Sequence, residues 1–185
     1  MMRLGNFVRN LLFAAIAGLA TVAYSVIAPP VLGFRGFGTA WLWWCLFLTV
    51  SYLVAIAPNL GRGLRIGILA GAIGVGICLV APGEGAALLG MTMILGLMRS
   101  GFLFPRRLAR AVAVELGLAG FSGLLAGSLA GPSSLSLGIA VWGFFLVQSL
   151  FFVIGGIEVW RPGVTEDAFE KARREAMRMM EDLPA

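Results

Sequence analysis

Two charged side chains lie inside long apolar stretches of this chain and are the first candidates for chemistry. Arg99 lies near the end of one stretch, and Glu115 lies in the first half of the next. A short connection joins these stretches, so they should be antiparallel neighbours, with both charges roughly 8–12 Å from the same edge at 1.5 Å per residue. Charges at membrane depth are costly and often functional. The spacing predicts an Arg99–Glu115 ion pair, either a structural strut or a protonatable, ion-coupling site, with Arg110 as a competing partner for Glu115.

Gln148 is the best single candidate for a contact with a substrate or a partner, because it lies in the middle of the last apolar stretch. The alternative role is an interhelical hydrogen bond, worth about 0.6–2 kcal/mol in a membrane. Other polar side chains are sparse within the apolar stretches, so no polar path along one helix face is apparent.

The residue types needed for most catalytic sites are missing from this sequence. The chain has no histidine and two cysteines, which removes most metal-ligand sets and the commonest general base. The single lysine, Lys171, lies in the charged C-terminal tail, far from any intramembrane serine. We therefore expect no catalytic residues, no metal, no cofactor and no nucleic-acid partner, and we do not expect an enzyme.

The composition indicates a membrane protein. The 185-residue chain is 59% hydrophobic and 12% charged, whereas an average soluble domain is about half apolar and about a quarter charged. A water-soluble globular enzyme is therefore excluded. Crossing a bilayer takes about 20 apolar residues, and six segments qualify. The third is short for a span and is expected to use flanking residues as well. These segments are Phe7–Ala28, Ala40–Ala57, Ile66–Ala81, Ala86–Phe104, Leu108–Ala130 and Leu135–Gly156. The sequence predicts an all-α, multi-pass domain over residues 1–157.

The arginines predict how the chain is threaded. With the N-terminus inside, one side carries Arg3, Arg9, Arg62, Arg65, Arg99, Arg106, Arg107 and Arg110, and the other side carries only Arg35. Lysine and arginine in short loops stay cytoplasmic, so both termini should be cytoplasmic. The preference for arginine over lysine and the many small residues suggest a bacterial chain, and hence the inner membrane.

The six segments should form three antiparallel hairpins, each an outgoing helix rich in small residues followed by a bulkier return helix. In lipid, helices associate through close packing of small residues and through interhelical hydrogen bonds. The candidate packing residues are Gly67, Gly71, Gly123, Gly127 and Gly131. We expect the small-residue helices in the middle of the bundle and the bulky helices facing lipid. A pore lined by glycine is the alternative.

Residues 158–185 form a second region with a different composition. Five basic and seven acidic residues give this tail a net charge of −2, and its apolar residues recur at helical spacing, so it should be a cytoplasmic amphipathic helix. Its apolar face comprises Phe169, Ala172, Ala176, Met179, Met180 and Leu183. A helix that binds anionic lipid is usually basic. This face is therefore expected to dock protein, either another subunit, a second copy or the chain's own basic loops, unless it is only a solvated end.

Two functions from different classes follow. The first is a non-enzymatic membrane subunit or scaffold that recruits a protein partner through the tail and the inner loops. The second is a small-solute transporter, or its membrane component, with Glu115 and Gln148 near the translocation path.

Overall fold

The computed structural model describes residues 2–103 and 108–154, with side chains over 7–31, 38–103 and 112–153. The described residues are helical and form no β-strand. The predicted boundary at residue 157 and the predicted tail helix, with its face of Phe169, Ala172, Ala176, Met179, Met180 and Leu183, lie outside the described residues.

The helical elements follow one another with short connections. They are α1 (Met2–Ile56), α2 (Leu60–Val80), α3 (Glu84–Leu97), a π-helical segment (Met98–Leu103), α4 (Leu108–Leu129), α5 (Ser134–Ser149) and α6 (Phe151–Ile154). Asn59 and Ser133 cap α2 and α5: each side chain accepts a hydrogen bond from the backbone N–H three residues later. These polar caps satisfy N–H groups that a helix start leaves without partners.

Within the part of the chain that the structure describes, six helical segments are long and apolar enough to cross a membrane, which is the predicted number. We number them spans 1 to 6 in chain order: Phe7–Val31, Gly38–Ile56, Leu60–Val80, Glu84–Leu103, Val112–Leu129 and Ser134–Val153. Span 3 was expected to add flanking residues to its short apolar stretch, and it does: it is 21 residues long and begins at Leu60, directly after the Asn59 cap. The added residues include Arg62 and Arg65, and exposed arginines near a helix end can reach the interface.

Spans 1 and 2 both belong to α1, yet they lie side by side. A straight helix of 55 residues would be about 82 Å long. However, the ring centroids of Tyr24 and Trp44 are 4.6 Å apart, and Trp44 Nε1 donates to Thr21 Oγ1 at 3.1 Å. The chain therefore reverses between Tyr24 and Trp44, an interval that contains Pro29 and Pro30. Proline removes a helical hydrogen bond and is the usual cause of a sharp bend.

Glycine allows two close helix contacts in the bundle. Span 1 meets span 6 at Gly18 and Gly138, where a Cβ added to Gly138 would be 2.8 Å from the carbonyl oxygen of Gly18. Span 3 meets span 2 at Gly67, where an added Cβ would be 2.8 Å from a methyl group of Val54. A Cβ at Gly71 would be in ordinary contact with the span 2 side chain of Val50.

The expected distribution of small and bulky helices is wrong for spans 3 to 6, because the return spans 4 and 6 are more buried than the outgoing spans 3 and 5. Only 11% of the most apolar window of span 5 is buried, against 50% for span 6, although span 5 carries the longest glycine stripe. The aromatic rings of span 6 fill the centre instead: Phe145 packs against Phe13 and Tyr52 with ring centroids 5.1 and 5.2 Å apart. Aromatic contact area therefore holds the middle of the bundle, and span 5 lies at its edge.

Candidate functional site

Arg99 lies in the π-helical segment that continues α3. The segment buries Met98, Arg99, Ser100 and Leu103, and the arginine is 0% exposed. A π-helical turn shifts the side chains that follow it around the helix axis, and such turns are frequent at functional sites. Here two consecutive polar side chains, Arg99 and Ser100, are both turned into the protein.

Both charged residues singled out from the sequence meet in one ion pair. Arg99 donates from Nε to Glu115 Oε1 at 3.1 Å and from Nη2 to Oε2 at 2.5 Å, so the contact is bidentate. Ser100 Oγ donates a further hydrogen bond to Glu115 Oε1. Two parallel charge-assisted bonds fix the orientation of both side chains. The pair joins span 4 to span 5.

The same arginine also binds span 6. Its Nη1 donates to the backbone carbonyl of Gln148 at 3.2 Å, and its Cζ lies 4.2 Å from the ring centroid of Phe151. Helix α5 ends at Ser149, so the carbonyl of Gln148 lies in the last turn, where cations are favoured. Three spans therefore converge on one guanidinium group.

Gln148 lies within this group of side chains. It is 1% exposed, and its Nε2 donates to Ser122 Oγ on span 5 at 2.9 Å. Its Oε1 forms no hydrogen bond with other described residues, and the hydroxyl of fully buried Tyr52 lies beside Arg99. We define the polar cluster by its members: Tyr52, Arg99, Ser100, Glu115, Ser122 and Gln148.

The polar cluster is electrically neutral, and its strongest donors and acceptors are committed to one another. Arg99 is fully buried, and the side chain of Glu115 is 15% exposed. The bidentate contact engages both oxygens of the Glu115 carboxylate, so this group is not available as a free base. Among the described residues, no group of three or more acidic or cysteine side chains could hold a metal ion.

Beside the polar cluster, an apolar cleft of 670 Å³ lies between spans 2, 4, 5 and 6. We call the two ends of the bundle the Asn59 end and the Pro82 end, after residues in the connections. The cleft begins at Trp41, Gly85 and Ala130 near the Pro82 end and stops beside the polar cluster, at Leu95 and Leu116. Spans 4 and 5 are thus joined near the Asn59 end and separated along the rest of their length.

The glycines of span 5 form part of the cleft wall. A Cβ added at Gly123 or Gly127 would meet no described atom within 4 Å, so these two glycines make none of the predicted close helix contacts with other described residues. At Gly131 the added Cβ would be 3.0 Å from Ser136 Oγ, so this glycine packs against the start of α5. Gly67 and Gly71 face span 2, as described above.

Sequence reasoning missed Ser122, Ser100 and Tyr52 as members of the polar cluster. Ser122 follows Glu115 by seven residues, which is two helical turns, so it lies on the same face of span 5. Ser100 is adjacent to Arg99, and both side chains are buried in the π-helical segment, which the sequence analysis did not predict. Tyr52 carries no such local signal, because its position depends on how span 2 packs.

The chain was compared with protein-family models, with curated proteins and with solved structures, and no match was found.

Proposed function

We propose that this protein is a non-enzymatic, membrane-embedded subunit or scaffold of a larger complex in the bacterial inner membrane. One observation carries the proposal: the glycine-lined face of span 5 has no partner among the described residues. Small residues stabilise a membrane helix mainly when a second backbone approaches closely. A glycine stripe left open in the folded chain is therefore best explained by a partner protein.

The polar cluster supports the same function by acting as a strut. Arg99 binds spans 5 and 6 at once, and Glu115 receives hydrogen bonds from two neighbouring side chains of span 4. Such a closed network fixes the rotation of three helices, and it holds span 5 in place while one of its faces stays uncovered. A rigid frame of this kind suits a protein that presents a surface.

The proposed threading is three antiparallel hairpins with both termini in the cytoplasm. Two contacts support neighbouring helices running in opposite directions: Gly67 lies against Val54, and Gly143 lies against Leu129. The distribution of arginines supports the cytoplasmic side. In this arrangement residues 158–185 form a cytoplasmic amphipathic helix that docks the soluble part of the partner protein. The six spans are in contact with the lipid bilayer.

Purification from native membranes in mild detergent tests the subunit function. We expect a specific protein to co-purify with the full chain, and Gly123→Leu with Gly127→Leu, or deletion of residues 165–185, to reduce its yield. The matched control is Gly117→Leu, because an added Cβ there also meets no atom within 4 Å and Gly117 does not line the cleft. A full chain that purifies alone would contradict the proposal.

A small-solute transporter is the second candidate, and the unpaired amide oxygen of Gln148 favours it. Gln148 Oε1 is buried next to a charged pair and has no hydrogen-bond partner among the described residues, which suits a site that accepts a polar solute. Flux into proteoliposomes, compared between the wild type and Glu115→Gln, separates the two functions. Lost flux with intact assembly would support transport, whereas lost assembly would support the strut.

A further inference from the structure

Arg62 and Arg65 lie on one face of span 3, at its Asn59 end. They are three residues apart in helix α2, so their Cβ atoms are about 5–6 Å from each other, and both residues are exposed. Arg65 Nε donates to the carbonyl oxygen of Gly61 at 3.3 Å. This bond directs the guanidinium group of Arg65 toward the start of the helix, where Arg62 lies. Two cations therefore share one turn.

The described residues offer these two arginines no anionic partner. The only acidic side chains that the structure describes are Glu84 and Glu115. Glu115 is bound by Arg99, and Glu84 begins α3 at the Pro82 end, on the opposite side of the membrane. Like charges one turn apart on a helix repel each other, so an anion bound by both arginines would stabilise this turn.

The depth of the arginine pair indicates which anion is available. Span 3 begins at Leu60, so Arg62 and Arg65 follow its start by about 3 and 8 Å at 1.5 Å per residue. The headgroup layer on each side of a bilayer is about 5–8 Å thick, so lipid phosphates lie at the same level. Guanidinium groups bind phosphate oxygens through pairs of parallel N–H bonds. The C-terminal tail is a weaker source of anions, because its seven acids are accompanied by five basic residues.

The arginine face continues toward the membrane centre as an apolar surface that the described residues leave open. It includes Leu69 and Ile73, which are 43% and 40% exposed, and Gly76, where an added Cβ would meet no described atom within 4 Å. From Arg65 to Gly76 this surface is about 16 Å long, which is about half the thickness of the hydrocarbon core. A cationic end followed by an open apolar surface one leaflet deep fits a phospholipid, which has a phosphate and acyl chains in the same order.

We propose that Arg62 and Arg65 bind the phosphate of one anionic phospholipid, whose acyl chains lie along Leu69, Ile73 and Gly76. In the threading proposed above, the site faces the cytoplasmic leaflet, where anionic lipids attract basic side chains. No residue of span 3 lines the cleft. The lipid site therefore goes beyond the subunit function and does not depend on it.

Native mass spectrometry of the purified full chain tests the lipid site. The probes are phosphatidylglycerol, which is anionic, and phosphatidylethanolamine, which is zwitterionic, with identical acyl chains. We expect the chain to retain one phosphatidylglycerol molecule with a dissociation constant at least about tenfold lower than for phosphatidylethanolamine. Arg62→Gln with Arg65→Gln should remove this preference. Arg62→Lys with Arg65→Lys keeps both charges and should restore most of the binding, because lysine binds phosphate as a point charge.

Arg9→Gln is the matched control for the double glutamine variant. Arg9 is exposed at the same end of the bundle, on span 1, and no other described arginine lies within two turns of it. A lone exposed arginine contributes little to binding, so we expect a change of less than about twofold in the dissociation constant.

Three outcomes would overturn the lipid site. Equal affinity for the two lipids, or an equal loss in Arg9→Gln, would leave Arg62 and Arg65 with no role beyond orienting the chain. Inorganic phosphate that displaces phosphatidylglycerol at equal concentration would show that the acyl chains are not recognised. Loss of a co-purified protein, with lipid retained, in the double glutamine variant would assign the arginines to a protein interface. The subunit function is judged separately, by the yield of partner from the variant with Gly123→Leu and Gly127→Leu.

Discussion

Two glycine-bearing helix faces in this protein have similar composition and opposite surroundings. At the seam between spans 1 and 6, Gly18 and Gly138 are so close that an added Cβ would lie 2.8–3.0 Å from a backbone oxygen. On span 5, an added Cβ at Gly123 or Gly127 would have none of the described atoms within 4 Å. Small residues therefore give a helix the capacity for close approach, but they do not determine which helix approaches.

The difference follows from what holds each helix in place. Lipid is as apolar as leucine, so no hydrophobic effect forces the glycine face of span 5 against its neighbours. Span 5 is fixed by contacts on its other faces, where Glu115 binds Arg99 and Ser122 accepts from Gln148. The seam between spans 1 and 6 is closed by the glycines themselves. The glycine face between spans 1 and 6 therefore forms a contact within the folded chain, whereas the glycine face of span 5 stays uncovered by the described residues.

Removal of the Arg99–Glu115 ion pair, which fixes span 5, should destabilise the helix bundle more than any other change. Arg99→Met leaves Glu115 partly buried without its cation, which we expect to cost about 3–5 kcal/mol of unfolding free energy. Arg99→Met with Glu115→Leu should recover most of that loss, because an apolar pair leaves no uncompensated charge. The measurement is unfolding by steric trapping in bicelles.

Arg62→Met is the matched control for this experiment, since Arg62 is exposed and surface substitutions usually change stability by less than about 0.5 kcal/mol. An Arg99→Met protein as stable as the control would mean that the ion pair does not hold the helices together.

The glycine contact between spans 1 and 6 should lose stability when a single methyl group is added. Gly138→Ala brings a Cβ within 2.8 Å of the carbonyl oxygen of Gly18, and a backbone atom cannot move aside without moving its helix. Overpacking of this kind costs about 1–3 kcal/mol. Gly76→Ala, where nothing lies within 4 Å, should be neutral or slightly stabilising in the same unfolding assay because alanine favours the helix. Equal stability of the two variants would remove the distinction between closed and open glycines.

Much of the architecture could be predicted from the sequence, because hydropathy and length decide which segments can cross a membrane. The contact between Arg99 and Glu115 was also accessible, since a short connection and a fixed rise per residue place both at one depth. The burial of span 6 and the exposure of span 5 were not. They depend on how Phe145 packs against Phe13 and Tyr52, and such distant contacts leave no pattern in a single sequence.

Gln148→Leu should have a smaller effect, although Gln148 links span 6 to span 5. The substitution removes one hydrogen bond to Ser122 together with the unpaired Oε1, and an interhelical hydrogen bond in a membrane averages about 0.6 kcal/mol. We expect a loss of that size or less in steric trapping. Flux measured on the same variant separates the two functions: unchanged assembly with abolished solute flux would assign Gln148 to transport, and the strut would then be only part of its role.

The open face of span 5 should tolerate the bulkiest change with the smallest effect on folding. Gly123→Leu with Gly127→Leu places side chains into the cleft, where no described atom lies in the way, and leucine favours a helix over glycine by up to about 1 kcal/mol per residue. The free energy of unfolding should therefore stay equal or rise slightly, while the amount of co-purified partner falls. Unchanged stability together with less co-purified partner would identify this face as an interface with another protein and not as a contact that holds the fold together. A large loss of stability would instead show that span 5 can move inward and close the cleft within the chain. Both glycine faces would then form helix contacts inside this protein.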